Sequence, residues 1–183
     1  MQLVPTTLPG VYIVQSAASH DARGSFVKMF HSAVFESAGL QTQFRESYYT
    51  TSKPGVLRGM HLQLPPHQHA KLVYVSRGQV LDVALDLRQG PTYGHFEGFE
   101  LSAANGKGLY LPPGVAHGFY VPALPGYTEA AVHYLVTSEY APAHDAGVRY
   151  DSFGCAWPLG EAAPIVSARD EALPTLAAFK SPF

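Results

Sequence analysis

Arg58, His61 and Lys71 stand close together in two strand-like runs, Val56-Leu57-Arg58-Gly59-Met60-His61-Leu62-Gln63 and Ala70-Lys71-Leu72-Val73. A guanidinium grips phosphate in a bidentate fork, a neutral imidazole takes a proton near pH 7, and an ammonium stabilises a developing oxyanion. Together they point to proton chemistry on an anionic substrate. They also pose a geometric problem, because residues three apart on a regular strand face opposite sides and could not line one cavity. Gly59 lies between Arg58 and His61, and glycine permits a bulge that resets the alternation. The spacing therefore predicts an irregular backbone at Gly59.

The elements that must position these residues are short and β-rich. Fifteen prolines and seventeen glycines punctuate apolar runs rich in Val, Tyr and Phe, a pattern of sandwiches and barrels. Strand candidates are 11–15, 26–30, 96–101, 108–111, 118–121 and 130–137. Residues 71–75 and 80–87, joined through Ser76-Arg77-Gly78-Gln79, read as a hairpin. In its second arm Asp82, Ala84 and Asp86 share one face while Leu81, Val83, Leu85 and Leu87 share the other. The best helix is 32–39, with Ser32 able to cap its start and Gly39 its end, and a second short helix is expected around Asp170 in the C-terminal region. No repeat or low-complexity linker divides the chain, so residues 1–183 read as one all-β domain with short peripheral helices, mainly in the C-terminal region.

The composition narrows the partners. Charged residues are 14% and the formal net charge is -2, so there is no basic field to attract nucleic acid or an anionic membrane. Any phosphate must be held locally. The single cysteine, Cys155, rules out an internal disulfide and a Cys-rich zinc site, and the N-terminal run lacks the pattern of a secretory signal. A soluble, cytoplasmic protein is expected.

Leu109-Tyr110-Leu111-Pro112-Pro113-Gly114-Val115-Ala116-His117 reads as a strand, a Pro-Gly turn and a second strand carrying His117. This turn resembles the second motif of the cupin superfamily, whose fold is a small jelly-roll barrel. Metal-binding cupins add a His-x-His pair and a Glu; here His67-Gln68-His69 offers the pair, but Lys71 follows where a carboxylate would be needed. A metal-dependent enzyme using His67, His69 and His117 is thus an alternative reading, against which His67 and His69 are exposed loop histidines and His117 a hydrogen-bonded barrel residue.

A wider set is more specific. Asp21-Ala22-Arg23-Gly24-Ser25-Phe26, the Arg58 to Gln63 strand, Lys71-Leu72-Val73, Gly94, Ala116-His117-Gly118-Phe119, Tyr134-Leu135-Val136-Thr137, Tyr140-Ala141-Pro142, Trp157-Pro158 and Ser167-Ala168-Arg169-Asp170 occur in one order across nearly the whole chain. In order and spacing the set resembles the dTDP-4-dehydrorhamnose 3,5-epimerase family. The resemblance implies a cupin-type, cofactor-independent, homodimeric enzyme acting on nucleotide-linked 4-keto-6-deoxyhexoses. It implies His61 as base, Asp170 as the carboxylate that orients it and raises its pKa, Lys71 facing the keto oxygen, and Tyr134 as donor on the opposite ring face. It further implies substrate contacts from Arg58, His117 and Tyr140, and from Arg23 and Phe26 in a segment that reaches the neighbouring subunit's nucleotide site.

Taken singly, His61 reads as well as a barrel histidine, Lys71 as an exposed hairpin charge, Tyr134 as a core aromatic and Asp170 as a helix N-cap; their joint occurrence favours a site. The chain departs from the family pattern at Lys28, where a Glu is usual, and at Glu46 and Tyr48, where Gln and Asn are usual. These positions contact base or sugar, so the nucleotide is left open between dTDP, CDP or another carrier. Inversion at C3, at C5 or at both is open as well. A non-catalytic nucleotide-sugar-binding cupin is the remaining alternative.

Overall fold

The computed structural model describes residues 1–160 and 162–183. In chain order its strands are β1 (Gln2–Pro5), β2 (Tyr12–Gln15), β3 (Ala18–Asp21), β4 (Gly24–Val27), β5 (Glu46–Ser52), β6 (Leu57–Gln63), β7 (Lys71–Arg77), β8 (Gln79–Asp86), β9 (Phe96–Ser102), β10 (Lys107–Leu111), β11 (Val115–Tyr120), β12 (Ala130–Val136) and β13 (Asp145–Gly147). Two short helices accompany them, α1 (Ser32–Ser37) before β5 and α2 (Ala168–Glu171) near the C-terminus. No helix among the described residues is long and apolar enough to cross a membrane.

Two antiparallel sheets face each other as a jelly-roll barrel. One runs β1-β2-β10-β7-β12-β5, the other β13-β6-β11-β8-β9, and β3-β4 forms a separate two-stranded hairpin. Alternation sorts the side chains. On β7, Val73 and Val75 join the core between the sheets while Leu72 points outward to Val14, Tyr110 and Phe35 of α1. On β8, Val80 and Ala84 face inward while Val83 and Leu85 pack outward beneath Phe153 and Trp157 of the C-terminal segment. A fully buried Leu or Phe of this kind is worth roughly 1.5–3 kcal/mol, so both faces of the five-stranded sheet contribute to stability.

The hairpin expected between 71–75 and 80–87 is not formed. Strand β7 pairs with β10 and β12, whereas β8 pairs with β9 and β11, so the chain changes sheets at Gly78. Gly78 has φ +73, and a Cβ there would stand 2.5 Å from the carbonyl oxygen of Glu129. This tight corner carries two strands to opposite walls of the barrel. Strand β4 ends at Val27 rather than at residue 30, and the start of α1 is capped not by Ser32 but by His31, without a side-chain hydrogen bond.

The C-terminal segment returns along β6. Ile165 bridges Val56, its carbonyl accepts from the Leu57 amide, and its own amide donates to Gly55. It then enters α2, where the Ser167 hydroxyl accepts from the Asp170 amide. The helix is thereby set against the middle of β6.

Candidate active site

At one end of the barrel the inward-facing positions turn polar, and they enclose a cavity of about 210 Å³. Strand β6 supplies Arg58 and His61, β7 supplies Lys71, β11 supplies His117, and β12 and β5 supply Tyr134 and Tyr48. Arg58 and His61 share this cavity because the backbone between them is irregular. His117 pairs with His61 but Phe119 pairs with Arg58, so β6 carries an extra residue opposite β11. Gly59 sits in the bulge with φ +122, and a Cβ on it would stand 2.5 Å from Gly118 Cα and 2.8 Å from the His117 carbonyl oxygen. Only glycine fits this crossing.

His61 Nε2 lies 2.8 Å from Asp170 Oδ1, while Asp170 Oδ2 accepts the Gly59 amide at 3.0 Å. Burial opposes ionisation of Asp170, but the His61 and Gly59 contacts outweigh it and hold the carboxyl below its usual range. For His61 burial is the largest influence and lowers its pKa, with Asp170 pulling the other way and Arg169 and Lys71 adding to the lowering. The net direction is downward, opposite to that expected from the carboxylate partner, because desolvation of the imidazolium outweighs the ion pair. His61 is therefore neutral at pH 7, with Nε2–H donated to Asp170 and Nδ1 left as the basic nitrogen.

Lys71 is buried and donates from Nζ to the His61 carbonyl oxygen at 3.1 Å. Burial brings its pKa down to about 8; Asp145 and Asp82 oppose the fall and Arg169 adds to it. Tyr134 is buried too, and desolvation pushes its phenol far above the usual range, so it remains a proton donor. Its ring stacks on Tyr48 and meets His117 edge-on. His117 Nε2 is 2.7 Å from Asp82 Oδ2 in the interior, which fixes the imidazole in the cavity wall.

The mouth is more open. Arg58 donates from Nε to Ser52 Oγ at 2.9 Å and leaves much of its guanidinium exposed. Tyr140 is 60% exposed; its amide donates to Glu46 Oε1 at 2.8 Å and its hydroxyl to Asp145 Oδ2 at 3.3 Å. Glu46 is thus occupied in tethering the Tyr140 loop. Gln63 Oε1 accepts from the neighbouring Ala141 amide at 2.7 Å and adds a second tether. Asp145, ion-paired with Arg169, completes the rim. Sequence reasoning assigned no role to Asp145, Arg169 or Asp82.

Besides Glu46, which does not line the cavity, three expected contacts lie elsewhere on this chain. Arg23 is exposed and ion-paired with Asp21, Phe26 is 64% exposed on the β3-β4 hairpin, and Lys28 follows that hairpin in an exposed position; none lines the cavity. The alternative metal set is not assembled. His117 is bonded to Asp82, His69 Nδ1 is 3.0 Å from Gln63 Nε2, and the His67 ring packs on His144. Among the described residues no three His, Cys, Asp or Glu side chains converge as a metal site. His69 is also no exposed loop histidine, since burial, aided by Lys71, brings its pKa down to about 3.

The cavity therefore holds a neutral imidazole on one sheet, oriented by a carboxylate from α2, a protonated phenol on the facing sheet, and an ammonium able to meet an oxyanion. That set can remove a proton from carbon and return one to the opposite face. A sequence profile of the dTDP-4-dehydrorhamnose 3,5-epimerase family matches residues 5–178. The chain is 38% identical over 161 residues to the dTDP-4-dehydrorhamnose 3,5-epimerase of Methanothermobacter thermautotrophicus, covering 86% of this chain and 84% of that protein. It superposes with TM-score 0.90 and 33% identity on the Legionella pneumophila dTDP-6-deoxy-D-glucose-3,5-epimerase solved with dTDP-4-keto-L-rhamnose, covering 98% of this chain and 94% of that one. A 3'-monoepimerase from Streptomyces bikiniensis, solved with dTDP-quinovose, matches with TM-score 0.87 and 32% identity over 94% of this chain and 87% of its own. The chain belongs to the dTDP-4-dehydrorhamnose 3,5-epimerase family and so to the carbohydrate epimerases of the isomerase class.

Proposed function

We propose that this protein inverts C3, C5 or both in a nucleotide-linked 4-keto-6-deoxyhexose, without a cofactor. A ketone at C4 acidifies the neighbouring C–H bonds because their deprotonation yields an enolate with its charge on the C4 oxygen. His61 Nδ1 takes the proton, Asp170 holds the imidazolium, and Lys71 stabilises the enolate oxygen, an electrostatic contribution worth roughly 3 kcal/mol of barrier or more. Tyr134 then delivers its hydroxyl proton to the opposite face. Water returns a proton to Tyr134 and removes one from His61, so the cycle closes with no net change in the enzyme.

The observation that carries this proposal is the placement of His61 and Tyr134 on facing sheets of one cavity. A cavity of about 210 Å³ accommodates the sugar rather than the whole substrate. The diphosphate and base then run over the rim, with Arg58 on the diphosphate and Tyr140 beside it. Binding of dTDP sugars by the two solved relatives makes dTDP the first carrier to test, and Lys28, Glu46 and Tyr48 make CDP the second. Arg23, Phe26 and Lys28 contribute across a homodimer, each chain working as one cytoplasmic catalytic domain.

In deuterium oxide the protein should wash solvent deuterium into C3 or C5 of dTDP- or CDP-linked 4-keto-6-deoxyglucose, followed by NMR. Silence with both sugars would defeat the proposal.

A further inference from the structure

Tyr48 and Tyr134 are register partners on β5 and β12, so their side chains leave the same face of the sheet. Their ring centroids are 4.7 Å apart with planes at 17°, a stacked pair. From another side His117 meets the Tyr134 ring edge-on at 5.8 Å and 77°, and His117 is itself held by Asp82. Tyr134 is 6% exposed and Tyr48 is 43% exposed. Strand β5 ends its sheet, which makes Tyr48 the outer plate between Tyr134 and solvent.

A single phenol that serves this reaction has two carbons within its field, one on each side of the C4 ketone. Reaching both requires the hydroxyl to swing, and a ring stacked on one face and braced at another gives up contact when it swings. Tyr48 stays uncharged in the stack, since burial, reinforced by Glu46 and Asp145, pushes its phenol up to about 12.

We propose that Tyr48 is a positioning residue that fixes the Tyr134 ring by stacking and so sets how often a proton removed by His61 is replaced with inversion. This rests on the assignment of Tyr134 as donor. The role belongs to the ring, and the Tyr48 hydroxyl is not needed for it.

The test compares wild type, Tyr48→Phe, Tyr48→Leu and Tyr48→Asn in deuterium oxide, recording deuterium wash-in and net inversion at C3 and C5 on the same sample. Tyr48→Phe should keep the wild-type ratio of inversion to wash-in, whatever its KM. Leu and Asn should lower that ratio about tenfold while wash-in persists, because His61 still removes the proton but the donor is displaced. A purely structural defect would lower both together and leave the ratio unchanged, which would overturn the proposal. So would an equal fall in the Phe variant. Thermal melting checks each variant's fold, and position 48, half-exposed on an edge strand, tolerates truncation without opening the core. Absence of wash-in by the wild-type protein would overturn the reading of the site and this inference together, whereas an unchanged ratio overturns this inference alone.

Discussion

At the scale of single residues, the site is governed by burial acting on charge. His61 is depressed and Lys71 is brought down to about 8, so the free enzyme has a neutral base and a charged lysine only above the His61 titration and below that of Lys71. The sign follows directly: activity is lost at low pH as His61 gains a proton and at high pH as Lys71 loses one. We expect a bell-shaped kcat/KM profile with its acid limb below the usual histidine range and its alkaline limb near pH 8. Lys71→Met should remove the alkaline limb along with most of the rate. His61→Asn should cut wash-in by roughly a thousandfold, and Asp170→Asn by on the order of a hundredfold or more, because the ring loses its tautomer and its counter-charge. The types and spacing of Arg58, His61 and Lys71 were legible in the sequence. The direction of the His61 shift was not, since it depends on how closely the two barrel sheets and α2 exclude water from the imidazole.

At the scale of elements, one glycine joins two strands at the centre of the site. A bulge at Gly59 was legible from the three-residue spacing of Arg58 and His61, and the register shift against β11 accounts for their shared cavity. Gly59→Ala should destabilise the fold by roughly 3 kcal/mol, measured by urea denaturation, because the added methyl meets Gly118 and the His117 carbonyl in a left-handed conformation. The hairpin assignment at 71–87 failed for a physical reason. Local alternation identifies a strand but not its partner, and the close approach that requires glycine where the chain changes sheet, at Gly78, comes from Glu129 and Ala130, distant in sequence. Helix α2 was expected around Asp170, but its N-cap is Ser167 rather than Asp170, which lies in the first turn with its carboxylate on His61 and Gly59. Ser167→Ala should cost about 1 kcal/mol in stability and lower wash-in through misplacement of Asp170, read by comparing melting temperature with rate.

For the whole molecule, the five-stranded sheet is covered on both faces, whereas the β3-β4 hairpin stands out with Phe26 largely exposed. In the proposed homodimer this apolar ring is buried by the partner. Phe26→Asp should shift the protein toward monomer in light scattering and raise KM for the nucleotide sugar, while leaving the melting of the barrel little changed. In that proposal Lys28 and Phe26 find their neighbours only in another copy, which reading one chain does not supply. The same scale exposes a consequence of where Asp170 lies. It is separated from His61 by 109 positions and rides on a helix that follows every barrel strand in the chain. A ribosome therefore delivers every barrel strand before it delivers the helix that arms the base and, through Arg169, finishes the rim. A nascent barrel lacks both, so full turnover begins only when α2 has docked on β6.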